Sequence, residues 1–224
     1  SSRLYIPESL WPDVKAEIDS QLDEISVGPP EDFTNFVNAV IDERAFDKIV
    51  GYIEHAREDE DAEILFGGEY DNSEGYFIEP TIIRARDPKQ KSMQEEIFGP
   101  VTTVYVYPDG EYASTLTLVD DTSPYGLTGS IFASDRAAVK LATDVLEQSA
   151  GNFYINDKPT GAVVGQQPFG GARRSGTNDK AGSAYNLMRW VSPRAIKETF
   201  DAPTHYGYAW NQPDAADEQA AMPA

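Results

Sequence analysis

Residues 151–178, GNFYINDKPTGAVVGQQPFGGARRSGTN, hold six glycines and few charges. A strand-like run at residues 152–155 opens here into a long loop. Such a loop cannot build a core of its own. Long loops without secondary structure inside a compact domain are usually binding or active-site loops. The rest of the chain must therefore supply the scaffold. Its 224 residues, 40% of them apolar, suffice for one domain with a sizeable core, or at most two.

The scaffold reads as alternating strands and helices. Residues 3–6 form a short strand that Pro7 and Glu8 break. Leu10, Val14, Ile18, Leu22 and Ile25 then recur at helical spacing, with Ser9 as the expected N-cap. Gly28-Pro29-Pro30 ends that helix in a loop. A second amphipathic helix is predicted over residues 43–57, with Phe46, Ile49, Val50 and Ile53 inward. Residues 64–66 make a strand before a Gly67-Gly68 turn. Residues 76–83 make another, bent or at an edge because it contains Pro80. A loop or single helical turn covers SMQEEIFGP, and VTTVYVY at residues 101–107 is a β-branched and aromatic strand. Helix (111–119), strand (127–132), helix (136–148) and strand (152–155) follow, then a helix within 180–188 and a last strand within 190–200. This alternation predicts an α/β layer structure with parallel strands.

Composition excludes several classes. Acidic residues outnumber basic ones 38 to 18, giving a net charge of −20. A chain this acidic, with no basic stripe, is not expected to bind nucleic acid or an anionic membrane. No run approaches the roughly 18 apolar residues of a membrane span. With only 8 lysines, the acidic surface fits a salt-loving source, where salt screens self-repulsion. The absence of cysteine excludes disulfides, cysteine zinc sites and thiol catalysis within these residues. His55 and His205 lie far apart, so no metal site and no Ser/His/Asp set is expected. G-x-G-x-x-G and Walker motifs are also absent from the sequence. The opening SSRLYIPESLW has neither an initiator methionine nor a secretory signal, so a cut, processed or incompletely recorded start is expected.

A second landmark is Glu95-Glu96-Ile97-Phe98-Gly99-Pro100. A carboxylate can accept both hydroxyls of a ribose, and an aromatic ring can pack beside a nicotinamide. Alone, a Glu-Glu pair is a solvated surface feature. Together with SRLY, VYVYPD, YGLTGSIF, GNFYIND and PFGGARRSGTND, in this order, EEIFGP resembles the aldehyde dehydrogenase superfamily over residues 2–200. NFYINDK and GQQPFGGARRSGTND look closest to the branch that acts on L-glutamate γ-semialdehyde (Δ1-pyrroline-5-carboxylate).

The resemblance implies a three-layer α/β catalytic domain, incomplete at its N-terminal end, over residues 1–189. An oligomerisation-flap strand at 190–200 and a tail at 201–224 would follow. It implies that Glu96 binds the nicotinamide ribose and Phe98 flanks the nicotinamide, with no role for Glu95. The cofactor would be NAD, with NADP an alternative. Thr160-Gly161-Ala162 would present backbone N–H groups to the substrate α-carboxylate, and Phe169 would pack on its aliphatic chain. Ala162 stands where the branch usually has serine, and a lost hydrogen bond to a charged group costs about 1.5–3 kcal/mol. Asn156 would order the loop, while Arg173 and Arg174 either attract an acidic substrate or pair with nearby carboxylates.

The resemblance also places the nucleophilic cysteine and the general-base glutamate upstream of Ser1, so no catalytic residue is expected here and the chain alone should be inactive. The implied partners are a small aldehyde and, in the full-length enzyme, further copies of itself. The implied compartment is the cytoplasm, or the mitochondrial matrix in a eukaryote. Three readings stay open: a fragment of a full enzyme, one half of a split enzyme, or a non-catalytic binding or assembly module.

Overall fold

The computed structural model describes residues 1–159, 162–163 and 166–208. The chain divides into two units, Ser1–Leu187 and Met188–Ala224. In chain order the first unit runs β1 (Arg3–Pro7), α1 (Trp11–Leu22), α2 (Glu43–Glu58), β2 (Ala62–Phe66), β3 (Tyr70–Asp71), β4 (Phe77–Ile78), β5 (Thr81–Ala85), α3 (Lys91–Gln94) and β6 (Val101–Tyr107). A short 3-10 turn leads into α4 (Tyr112–Thr122), β7 (Tyr125–Gly126), β8 (Thr128–Ile131), α5 (Arg136–Val145), β9 (Asn152–Ile155), β10 (Ala172–Arg173) and α6 (Ala184–Leu187).

The central sheet has the order β1-β6-β5-β2. β1 and β5 both run parallel to β6. Alternation sends successive β5 side chains to opposite faces. Ile83 joins the cluster formed by Phe46, Ile49, Tyr52 and Ile53 of α2. Ile82 joins Ile6 and Val104 in a second cluster, against Trp11, Val14, Ile18 and Leu22 of α1. Helices therefore cover both faces, which is the three-layer arrangement expected. A separate parallel pair, β8–β9, is covered by α4 and α5 through Leu116, Ala142, Leu146 and Phe153.

Several local expectations are corrected. Ser9 is not the cap of α1: Leu10 occupies that position without a side-chain bond, and Ser9 Oγ donates to Asp109 Oδ1 at 2.8 Å. Not all strands are parallel, since β2 runs antiparallel to β5. The single strand expected over 76–83 is two, β4 and β5, because Pro80 has no N–H to continue a ladder. β5 lies inside the sheet, not at its edge. The helix expected within 180–188 shortens to the single turn of α6. Residues 190–200 form no strand among the described residues, and Trp190, Ile196 and Phe200 are 80%, 75% and 97% exposed. A strand exists only through its ladder, and hydrophobic patterning alone does not provide one.

Candidate active site

The EEIFGP arc is set by what it buries. Met93 and Ile97 are 0% and 3% exposed and pin the arc to the scaffold on either side of Glu95 and Glu96. Before it, the buried Gln90 side chain accepts the Ser92 N–H at 2.7 Å, and Thr103 Oγ1 of β6 donates to Ser92 Oγ at 2.8 Å. After it, Gly99 packs so closely on α2 that a Cβ would sit 2.6 Å from Ile49 Cδ1. Between these anchors Phe98 adopts a left-handed φ of 64° and stands 83% exposed. That conformation is uncommon for a bulky residue, and such outliers cluster at functional sites.

Glu95 and Glu96 face a cleft of about 710 Å³, lined also by Lys48, Tyr52, Lys89, Lys91, Gln94, Thr122, Pro124 and Tyr125. Lys48 and Tyr52 lie one turn apart on α2 and so share a side. The Tyr52 hydroxyl donates to Glu95 Oε2 at 2.5 Å, and Lys48 Nζ donates to the Glu96 carbonyl oxygen at 2.7 Å. Lys91 sits over the Tyr52 ring, 4.9 Å from its centroid. Burial, then the Glu95 carboxylate, pushes the Tyr52 phenol up from 10.0 to about 12. Glu95 is thus an anchor, held by α2. The Glu96 carboxylate makes no hydrogen bond or ion pair among the described residues and is available to a ligand. Three lysines converge on this cleft in a chain of net charge −20, which suits an anionic guest.

The glycine-bearing stretch reaches the same region from the other side. β10, just after Gly170-Gly171, pairs with β7, whose Tyr125 lines the cleft. Arg174 N–H donates to the Pro124 carbonyl oxygen at 3.1 Å. Arg173 pairs with Asp120 and donates to the Asp120 carbonyl at 2.6 Å, so of its two expected roles it takes the structural one. Among the described residues Asn156 does not bond its own loop. Its side chain accepts the Ala133 N–H at 2.8 Å and donates to the Ala133 carbonyl at 3.0 Å, which ties β9 to the connection before α5.

Phe169 is half-buried and forms an isolated bridge with Ala181. Neither it nor Phe98 nor Ala162 lines the cleft at Glu96. Gly161 lies outside the described residues. His55 stays on an exposed helix face, 3.9 Å from Asp59. Among the described residues no group of three His, Asp or Glu side chains could hold a metal, and no helix is long and apolar enough to cross a membrane.

Sequence reasoning missed Tyr52 and Lys48. They carry a readable signal, an i, i+4 pair on a helix. The contact Tyr52–Glu95 spans 43 residues and has no local signature.

A mixed sheet sandwiched by helices, with a free carboxylate beside a lysine-lined cleft, defines an α/β domain with a cleft suited to an anionic guest. The chain belongs to the aldehyde dehydrogenase family, whose model matches residues 1–196. It is 57% identical over 209 residues to the mitochondrial Delta-1-pyrroline-5-carboxylate dehydrogenase of Dictyostelium discoideum, covering 93% of this chain and 38% of that protein. The human mitochondrial enzyme of the same name is 54% identical over 212 residues, with 94% and 38% covered. Among solved structures, the Delta-pyrroline-5-carboxylate dehydrogenase of Mycobacterium tuberculosis bound with NAD matches with a TM-score of 0.80 at 50% identity, over 92% of this chain and 37% of that one. The chain thus spans 38% of the length of the curated relatives it matches.

Proposed function

We propose that this chain is the C-terminal catalytic-domain part of an NAD-dependent dehydrogenase that oxidises L-glutamate γ-semialdehyde to glutamate. The observation that carries this reading is the 57% identity to a Delta-1-pyrroline-5-carboxylate dehydrogenase along nearly the whole chain. The cleft at Glu96 agrees with it. A free carboxylate is a good acceptor for a ribose diol, and the lysines beside it favour an anionic dinucleotide. NAD, when bound, supplies the hydride acceptor. Glu96 would hold its ribose, Phe98 would flank the nicotinamide, and Glu95 would keep the arc in place through Tyr52. NADP remains the alternative cofactor.

Gly161 and Ala162 would offer backbone N–H groups to the α-carboxylate, and Phe169 would pack on the aliphatic chain. In family chemistry a cysteine thiolate adds to the aldehyde carbon, hydride leaves that carbon, and water activated by a glutamate releases the acid. This chain contains no cysteine, so the nucleophile must come from another part of the protein or from a partner, and the chain alone is inactive in this reading.

Residues 1–189 would be the catalytic domain, 190–200 a flap segment that becomes a strand only by pairing within a homo-oligomer, and 201–224 a tail. The working compartment would be the cytoplasm, or the mitochondrial matrix in a eukaryote, and the acidic surface would suit a salty interior. Pairing this chain with its nucleophile-bearing part, fused upstream or as a separate subunit, tests the proposal. NADH should form from glutamate semialdehyde and not without that part. A stable, correctly paired protein that reduces NAD with simple aldehydes but not with this one would refute the substrate.

A further inference from the structure

Lys180 has no role in the site as described, yet its ammonium lies in a cage of backbone and amide oxygens. It donates to the Gly151 carbonyl and lies 3.4 Å from both Asn152 Oδ1 and the Gly170 carbonyl. Three donors meet three acceptors, two from the start of β9 and one from the far end of the segment that leaves it. Asn152 reinforces the closure: its Nδ2 donates to the Pro168 carbonyl at 2.9 Å, and its Oδ1 accepts the Gly170 N–H at 3.1 Å. Gly151 and Gly170 are in such close backbone contact that a Cβ on Gly151 would sit 1.9 Å from the Gly170 oxygen. On the other side Phe169 and Ala181 exchange both backbone hydrogen bonds, at 2.9 and 2.8 Å. Residues 168–170 are therefore held between Asn152 and the 180–181 backbone. Lys180 itself has a left-handed φ of 55°. Desolvation pushes its ammonium down from the usual lysine value, so the cage forms against a cost.

We propose that Lys180, together with Asn152, is a positioning residue that clamps Phe169 in register and so sets how tightly the aldehyde is held. The role in aldehyde binding rests on the proposed function; the clamp itself does not. Amide exchange by NMR on this chain, wild type against Lys180→Met, tests the clamp. Exchange at Phe169, Gly170 and Ala181 should speed up about tenfold or more, because these amides are protected only while the segment stays closed. In the NAD-reducing pair, K180M should raise the aldehyde KM about tenfold and leave the KM for NAD within about twofold, and Lys180→Arg should recover part of the loss. Unchanged exchange overturns the clamp. Faster exchange with an unchanged aldehyde KM, or equal rises in both KM values, overturns the positioning role. If the wild-type pair does not oxidise glutamate semialdehyde, the function fails while the exchange data still decide the clamp. Should K180M not fold, Asn152→Ala must show the same exchange and KM pattern, and a wild-type pattern in that variant overturns the proposal.

Discussion

Phe98 holds a left-handed backbone at 83% exposure, so it gives up backbone comfort for little burial. Replacing it with glycine should raise stability by about 1 kcal/mol, read as a higher Tm, while weakening NAD binding. A Tm that falls would contradict that account of the arc. Tyr154 is a second such case: its hydroxyl is buried with no hydrogen-bond partner among the described residues. Tyr154→Phe should therefore be neutral or stabilising by up to about 1 kcal/mol in denaturant melts, and a clear loss would reveal a hidden partner.

Tyr52 titrates late because burial and Glu95 disfavour its phenolate. Its folded value, about 12, lies above the ordinary 10.0, so this contribution to stability is complete below pH 10.0 and fades as pH rises through about 12. Ultraviolet titration of Glu95→Gln should show that tyrosine ionising earlier. Glu96 was legible in the sequence because EEIFGP is a continuous motif. The anchoring of Glu95 and the cage around Lys180 were not, since their partners lie 43 and 29 residues away.

At the scale of elements, periodicity predicted α2 within one residue of its observed end and β6 and β9 at their observed bounds. The α2 stripe is deep: Ile49 and Ile53 are 1% and 0% exposed. Ile53→Ala should cost about 2–5 kcal/mol in denaturant melts, and a cost below 1 would mean that the cluster with Ile83 and Val101 is looser than described. What periodicity could not supply was direction and register. Nothing in Ala62–Phe66 announces that β2 runs antiparallel, because alternation looks the same either way. Ser9 fitted a cap by type, but its hydroxyl donates instead to Asp109, which lies 100 residues away. Pro80 announced a bend but not that the strand beyond it would be interior.

For the molecule as a whole, charge dominates. The net charge of −20 already counts every lysine and arginine, so internal ion pairs cannot reduce it, and the ion pairs among the described side chains are scattered and mostly solvent-exposed. Stability should rise as salt screens that repulsion, and a Tm that stays flat from dilute to molar KCl would remove the salt-loving reading. The family was legible because several separated motifs occur in order. Gly161 lies outside the described residues, and Phe169 does not line the Glu96 cleft. Of the proposed site residues, Glu96, the proposed ribose acceptor, alone lines the cleft. The most direct test of that role is the KM for NAD of Glu96→Gln in the NAD-reducing pair. Losing the charged acceptor, worth about 1.5–3 kcal/mol, should raise that KM at least tenfold while the aldehyde KM holds. An unchanged KM for NAD would contradict the assignment of this cleft to the cofactor.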